Sequence, residues 1–97
     1  MSTLSFEWDG QKARQNERKH GISFEEAKTA FEDTNARLLY DPDHSQEEER
    51  YVLLGVSTVL RILVVCHVYR YGDDTIRIIS ARKANKQEKQ QYQRFLG

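Results

Sequence analysis

Residues 61–83, RILVVCHVYRYGDDTIRIISARK, constrain the fold more than any other stretch of the chain. Two apolar runs of strand length, 62–68 and 76–81, are separated by the polar turn Tyr71-Gly72-Asp73-Asp74. Together they predict a β-hairpin. The first run is apolar on both alternating sides, as befits a strand buried on both faces. Arg61, Leu63, Val65, His67 and Tyr69 fall on one side; Ile62, Val64, Cys66 and Val68 fall on the other. The second side is wholly apolar and is expected to meet the helices. On the second run, Thr75, Arg77, Ile79 and Ala81 share one face, and Ile76, Ile78, Ser80 and Arg82 the other. His67, Arg70, Arg77, Arg82 and Lys83 sit within or at the ends of these strands. They need a reason to be there, because an unpaired buried charge is costly.

The rest of the chain supplies helices and shorter strands. Residues 4–8 alternate as a strand, with Phe6 and Trp8 on one side. Asp9 is a candidate N-cap for a polar helix to about Lys19, closed by Gly21. Lys12, Asn16 and His20 share one face of it, read either as a solvated face with a buried Asn or as a basic face for a partner or phosphate. Ser23 and Glu26 form a capping box, with Ile22 and Ala27 as its hydrophobic staple, for a second helix ending near Asp33. Phe24, Ala27, Ala30 and Phe31 make its apolar stripe. A short strand at 36–40 is broken at Asp41-Pro42-Asp43. Ser45 with Glu48 predicts a single helical turn over 46–50, and a strand follows at 51–56, broken near Gly55. Asn85 with Glu88 caps a last helix over 86–96, anchored by Tyr92, Phe95 and Leu96. This order predicts one α+β domain over residues 1–97, an antiparallel sheet of three to five strands with a helical pair on one face and a C-terminal helix.

Composition narrows the setting. The formal net charge is zero, so no bulk attraction to nucleic acid follows. Charge is nevertheless uneven: residues 32–50 hold seven acids against two bases, and residues 77–97 hold six bases against one acid. A local basic surface is allowed; the plainer alternative is that the two blocks face and cancel. Cys66 is the sole cysteine, so no internal disulfide forms and a reducing, cytoplasmic compartment is expected. Neither a signal peptide nor a membrane-length apolar run is read in the sequence.

Histidine exchanges protons near neutral pH, and arginine forks suit phosphate. A sheet face carrying His67 and Arg77 with Glu49 nearby could bind an RNA backbone and cleave it. That arrangement depends on a strand register the sequence leaves open. The alternative is an ion pair between Arg77 and a buried carboxylate such as Glu49. His20, His44, His67 and Cys66 show no metal-ligand spacing, so no metal and no cofactor are expected. His44 lies in an acidic turn, either fixing that loop or belonging to a site.

FEWD at residues 6–9, Lys12, Asn16, KHGISFEEA at 19–27, DPDHS with EER across 41–50, Gly55, VVCHVYR, RIISARKA, Glu88 and Tyr92 together resemble the BrnT toxin family. The resemblance spans nearly the whole chain. It implies a RelE-like fold, metal-independent endoribonuclease activity that arrests growth, and neutralisation by a cognate ribbon-helix-helix antitoxin. It further implies an assembly of two toxins with two antitoxins that reaches promoter DNA through the antitoxin. The motif positions fall on His44, Glu49, Arg50, His67, Arg77, Arg82 and Lys83. On this reading Arg77 and Arg82 stabilise phosphate and Glu49 or His67 handles the proton. His44, Arg50, Arg70 and Lys83 contact RNA. Cys66 departs from the aliphatic residue of related sequences. Two other classes remain: a non-catalytic module that partners a DNA-binding antitoxin, and a structural domain whose arginines are all ion-paired.

Overall fold

The computed structural model describes residues 4–94 and Leu96; Phe95, expected as a helix anchor, lies outside them. The strands are β1 (Ser5–Glu7), β2 (Arg37–Asp41), β3 (Arg50–Val56), β4 (Ile62–Arg70) and β5 (Thr75–Lys83), and the helices are α1 (Gly10–His20), α2 (Phe24–Thr29) and α3 (Lys86–Arg94). They build an α+β fold around one five-stranded sheet in the order β1-β5-β4-β3-β2. The β2–β3–β4–β5 ladder is antiparallel, but β1 pairs with β5 in parallel, Phe6 beside Ile76. This corrects the expected all-antiparallel sheet. β1 enters from the other end of the chain, so no turn forces it antiparallel. Among the described residues no helix is long and apolar enough to cross a membrane.

The caps form as their residue types dictate. Asp9 accepts from the Gln11 and Lys12 amides, and Gly21 ends α1 in the left-handed region at φ 71°. Asn85 and Glu88 cap α3 reciprocally, each side chain 2.8 Å from the other's amide nitrogen. Ser23 caps α2 through the Glu26 amide at 3.0 Å. The Glu26 carboxylate does not return the bond. It takes Ser57 Oγ at 2.7 Å and both arms of the Arg61 guanidinium, tying α2 to the β3–β4 turn. Ser45 also departs from expectation. Its hydroxyl accepts the Arg50 amide at 2.9 Å and donates to the Asp41 carbonyl, joining the ends of β2 and β3. The tight turn lies earlier, a 3-10 turn over Pro42–His44.

The faces of β4 are the reverse of those expected. Leu63 and Val65 pack with Ile22, Phe24, Ala27 and Ala30 of the helical pair, whereas Val64 packs with Leu54, Ala84 and Tyr92 beneath α3. Both sides of β4 are apolar, so hydrophobicity alone could not choose between them. Gly55 decides. It does not break β3; it pairs with Leu63 on the helical side. A Cβ there would lie 2.9 Å from the Ala30 carbonyl oxygen and 3.1 Å from Ala36 Cβ. Only a glycine lets the backbone after α2 come so close. Gly55→Ala is expected to cost about 1–3 kcal/mol of stability through this overpacking. Urea unfolding would show it, and an unchanged midpoint would contradict the close-approach account.

Candidate active site

The second face of the sheet is only partly covered. Pairing places Asp41 beside Arg50, Val52 beside Cys66, Cys66 beside Ser80 and Val64 beside Arg82, so these residues share that face. α3 closes one end through Tyr92, its buried residue. What remains is a cleft of about 280 Å³ lined by Asp41, His44, Arg50, Cys66, Ser80 and Arg82 among others. Its rim is the Pro42–His44 turn, held by the Ser45 bonds to Asp41 and Arg50.

The side chains of the cleft differ in their partners. His44 Nδ1 lies 2.9 Å from Asp41 Oδ2, with the imidazole 67% exposed and the carboxylate 20%. With Nδ1 engaged by Asp41, Nε2 is the ring nitrogen left for another partner. Arg50 Nε is buried and finds no hydrogen-bond partner among the described residues. A buried donor left unmet is costly, so the position suits an anionic visitor. Burial pushes the Cys66 thiol up, with Asp41 adding to the shift and Arg50 and Ser80 opposing it. Cys66 therefore stays a neutral thiol in the floor. Arg82 grips Glu88 with both arms, at 2.8 and 2.9 Å. That bond holds the Glu88 carboxyl below its ordinary range against the effect of burial.

The residues singled out from sequence do not all converge. His44, Arg50 and Arg82 meet at the cleft. His67 does not: it is fully buried on the helical side, its ring edge-on to Phe31 at 4.8 Å and its Nδ1 3.0 Å from the Val65 carbonyl. Burial holds its pKa below the ordinary value, so it is a neutral core histidine. His67 pairs with Ile78 and Arg77 with Val68, which puts His67 and Arg77 on opposite faces. Arg77 does form an ion pair, but with Glu7 at 3.0 Å and not with Glu49. Arg70 lies 3.4 Å from Glu48 and 3.8 Å from Glu7. Glu49 borders a separate hollow with Tyr51 and Tyr69. Lys83 pairs with Leu63 and so belongs to the helical side. Asp41 and Ser80 also line the cleft and were not singled out as site residues from sequence. The Asp-Pro-Asp-His spacing, one 3-10 turn long, was the available signal for Asp41. Among the described residues no three of His, Cys, Asp and Glu are grouped to hold a metal ion.

A family model described as "Ribonuclease toxin, BrnT, of type II toxin-antitoxin system" matches residues 8–88. The chain belongs to the BrnT toxin family. This membership brings with it an RNA substrate and an antitoxin partner at the level of the family. The crystal structure of the Brucella abortus ribonuclease toxin BrnT is similar to this chain, with 23% identity over 87% of this chain and 100% of that one, and a TM-score of 0.64. At that identity the likeness concerns the fold. A search of curated proteins finds no match. In BrnT terms, the region matched by the family model takes in the whole cleft, from Asp41 to Arg82.

His44 and His67 should behave differently. Unfolding frees His67 to take up a proton, so the unfolded state binds more protons once pH falls below about 6.5. The stability it contributes is full above that pH and declines below it. His67→Leu should remove this acid slope and cost about 1–3 kcal/mol near neutrality, while His44→Ala should stay within about 0.5 kcal/mol of the parent. Urea titrations on both sides of that pH check this; an acid slope that survives His67→Leu would contradict it.

Proposed function

We propose that the chain is a metal-independent endoribonuclease toxin whose active site is the open-face cleft. The observation that carries this reading is the convergence of an exposed Asp41–His44 pair with Arg50 and Arg82 around one cavity. His44 Nε2 accepts the proton of an RNA 2′-hydroxyl as that oxygen attacks the adjacent phosphorus. The bond from phosphorus to the 5′-oxygen breaks, and the leaving oxygen takes a proton from the His44 imidazolium. A 2′,3′-cyclic phosphate and a 5′-hydroxyl result. Arg50, with its unmet Nε–H, and Arg82 bind the non-bridging oxygens and stabilise the charge that builds on them. Arg82 must exchange Glu88 for phosphate to do so. Asp41 fixes the tautomer and the aim of His44.

This reading moves proton transfer from Glu49 or His67 to His44 and assigns phosphate binding to Arg50 and Arg82. Arg70, Arg77 and Lys83 stand outside the cleft and are assigned at most a part in RNA affinity. The family description supports an antitoxin partner. We assign it as a BrnA-like ribbon-helix-helix protein, two copies with two toxins, carrying the complex to promoter DNA in the cytoplasm. A binding-only module is the second reading, favoured by the full occupation of Arg82 by Glu88.

Cleavage of a labelled single-stranded RNA by the antitoxin-free protein, with and without EDTA, tests the proposal. Wild-type cleavage should survive EDTA. His44→Ala and Arg50→Ala should each lower the rate by about 100-fold or more, with folding intact by circular dichroism. Undiminished cleavage by either variant would remove that residue from the mechanism. A folded wild type that cleaves neither free RNA nor RNA on ribosomes would favour the binding-only module.

A further inference from the structure

A second cavity, of about 290 Å³, lies between α1 and the outer edge of β5, lined by Lys12, Gln15, Asn16, Lys19, His20, Ile79 and Ser80. Ile79 and Ser80 also line the cleft, so the two hollows share these residues. β1 pairs only with residues 75–77 of β5, which leaves the edge beyond them to α1. Asn16 fills that role. Its amide donates to the Ala81 carbonyl at 2.8 Å and accepts the Ala81 amide at 3.1 Å, standing in for a neighbouring strand. A third bond, 3.0 Å to the Ile22 carbonyl, fixes it from the other side. The lysines on the same side of α1 are thereby set beside the β5 edge.

Their charge is not taken up by an ion pair, as holds for the lysines of the described residues generally. Arg61, Arg70, Arg77 and Arg82 each pair with a carboxylate. Among the described residues Lys12 and Lys19 form no salt bridge. Lys12 is near enough to Asp9 to help lower its pKa, after the Lys12 amide bond that dominates that shift. Glu17, the only acid within α1, falls on another side of the helix by periodicity. Lys12 and Lys19 are two turns apart, about 10 Å along the axis.

We infer that this groove is a flanking subsite for the substrate backbone: single-stranded RNA leaves the cleft over Ile79 and Ser80, and Lys12 and Lys19 hold phosphates beyond the one that is cut. The inference rests on the proposed ribonuclease reading and extends its footprint from one phosphate to a track.

The test is binding without cleavage, by fluorescence anisotropy of a labelled 12-nucleotide RNA methylated at every 2′-oxygen. Lys12→Gln/Lys19→Gln is compared with Arg14→Gln/Arg18→Gln, which removes the same charge from α1 away from the groove. The groove variant should weaken binding by about tenfold and lower the slope of log affinity against log salt by about 1.4, two contacts' worth for a single strand. The control should bind within about twofold of wild type. Equal losses in the two variants would reduce the effect to bulk charge and overturn the subsite, as would unchanged binding by the groove variant. Wild-type protein that binds no free RNA would overturn the subsite, while the ribonuclease reading would still stand or fall on cleavage with ribosomes.

Discussion

The bulge at Ile79 governs which way the side chains of β5 after it point. Cys66 pairs with Ser80 and His67 with Ile78, so Ile79 is one residue too many for the ladder. Strict alternation would put Arg82 on the side of Ile76 and Ile78, against the helical pair. The extra residue resets the phase: Ile76, Ile78 and Ala81 all join the main core, while Arg77, Ser80 and Arg82 face away from it by register. Burying the Arg82 guanidinium among Phe24 and Ile22 without a partner would cost several kcal/mol or more. One inserted residue avoids that cost and places the arginine in the cleft. It also sets Ile79 and Ser80 where the cleft meets the α1 groove.

The open face depends equally on how α3 is held. Its contacts are few: Tyr92 is buried, and Leu96 beyond the helix is largely exposed. Asp33 receives the Tyr92 hydroxyl and the Val56 and Asn35 amides. Burial acts to raise the Asp33 carboxyl, but these three donors outweigh it and hold it below its ordinary value. The Tyr92 hydroxyl is pushed up to about 12, by burial first and then by its bond to Asp33. Both groups therefore keep their bonding forms across the neutral range. The second tie, Arg82 to Glu88, is of another kind, because the proposed chemistry requires Arg82 to let go of it. One end of α3 is thus fixed to the core, and the other is joined to a residue with a competing use.

Local features were legible in the sequence because their causes are local. Asp9, Ser23 and the Asn85–Glu88 pair cap helices through atoms two to three residues away. The hairpin turn at residues 71–74 follows from Gly72 and the polar residues around it. Features set by distant partners were not legible. The parallel β1–β5 pairing joins residues about seventy positions apart, and the bulge shows only once a register exists. The choice of face for β4 was hidden because both of its sides are apolar. The same reading of the faces carried into the expected site. His67 was placed on the polar side of its strand, yet that side is the core. Arg50 looked like the end of a helical turn, but it opens β3 with its side chain toward the cleft. Gly55 was read as a break when it marked a close approach, and that signal would have identified the helical face.

The central claim is that the cleft at Arg50, and not the face that carries His67, receives the phosphate. The most direct measurement is an NMR titration of the protein with a 2′-O-methyl RNA dinucleotide, following the Arg50 Nε–H and the imidazole rings of His44 and His67. Saturable shifts at Arg50 Nε–H and His44, with the His67 ring unmoved, are the predicted result. A shift at His67 and Tyr51 with Arg50 Nε–H unchanged would contradict the account and return the search to the other face of the sheet.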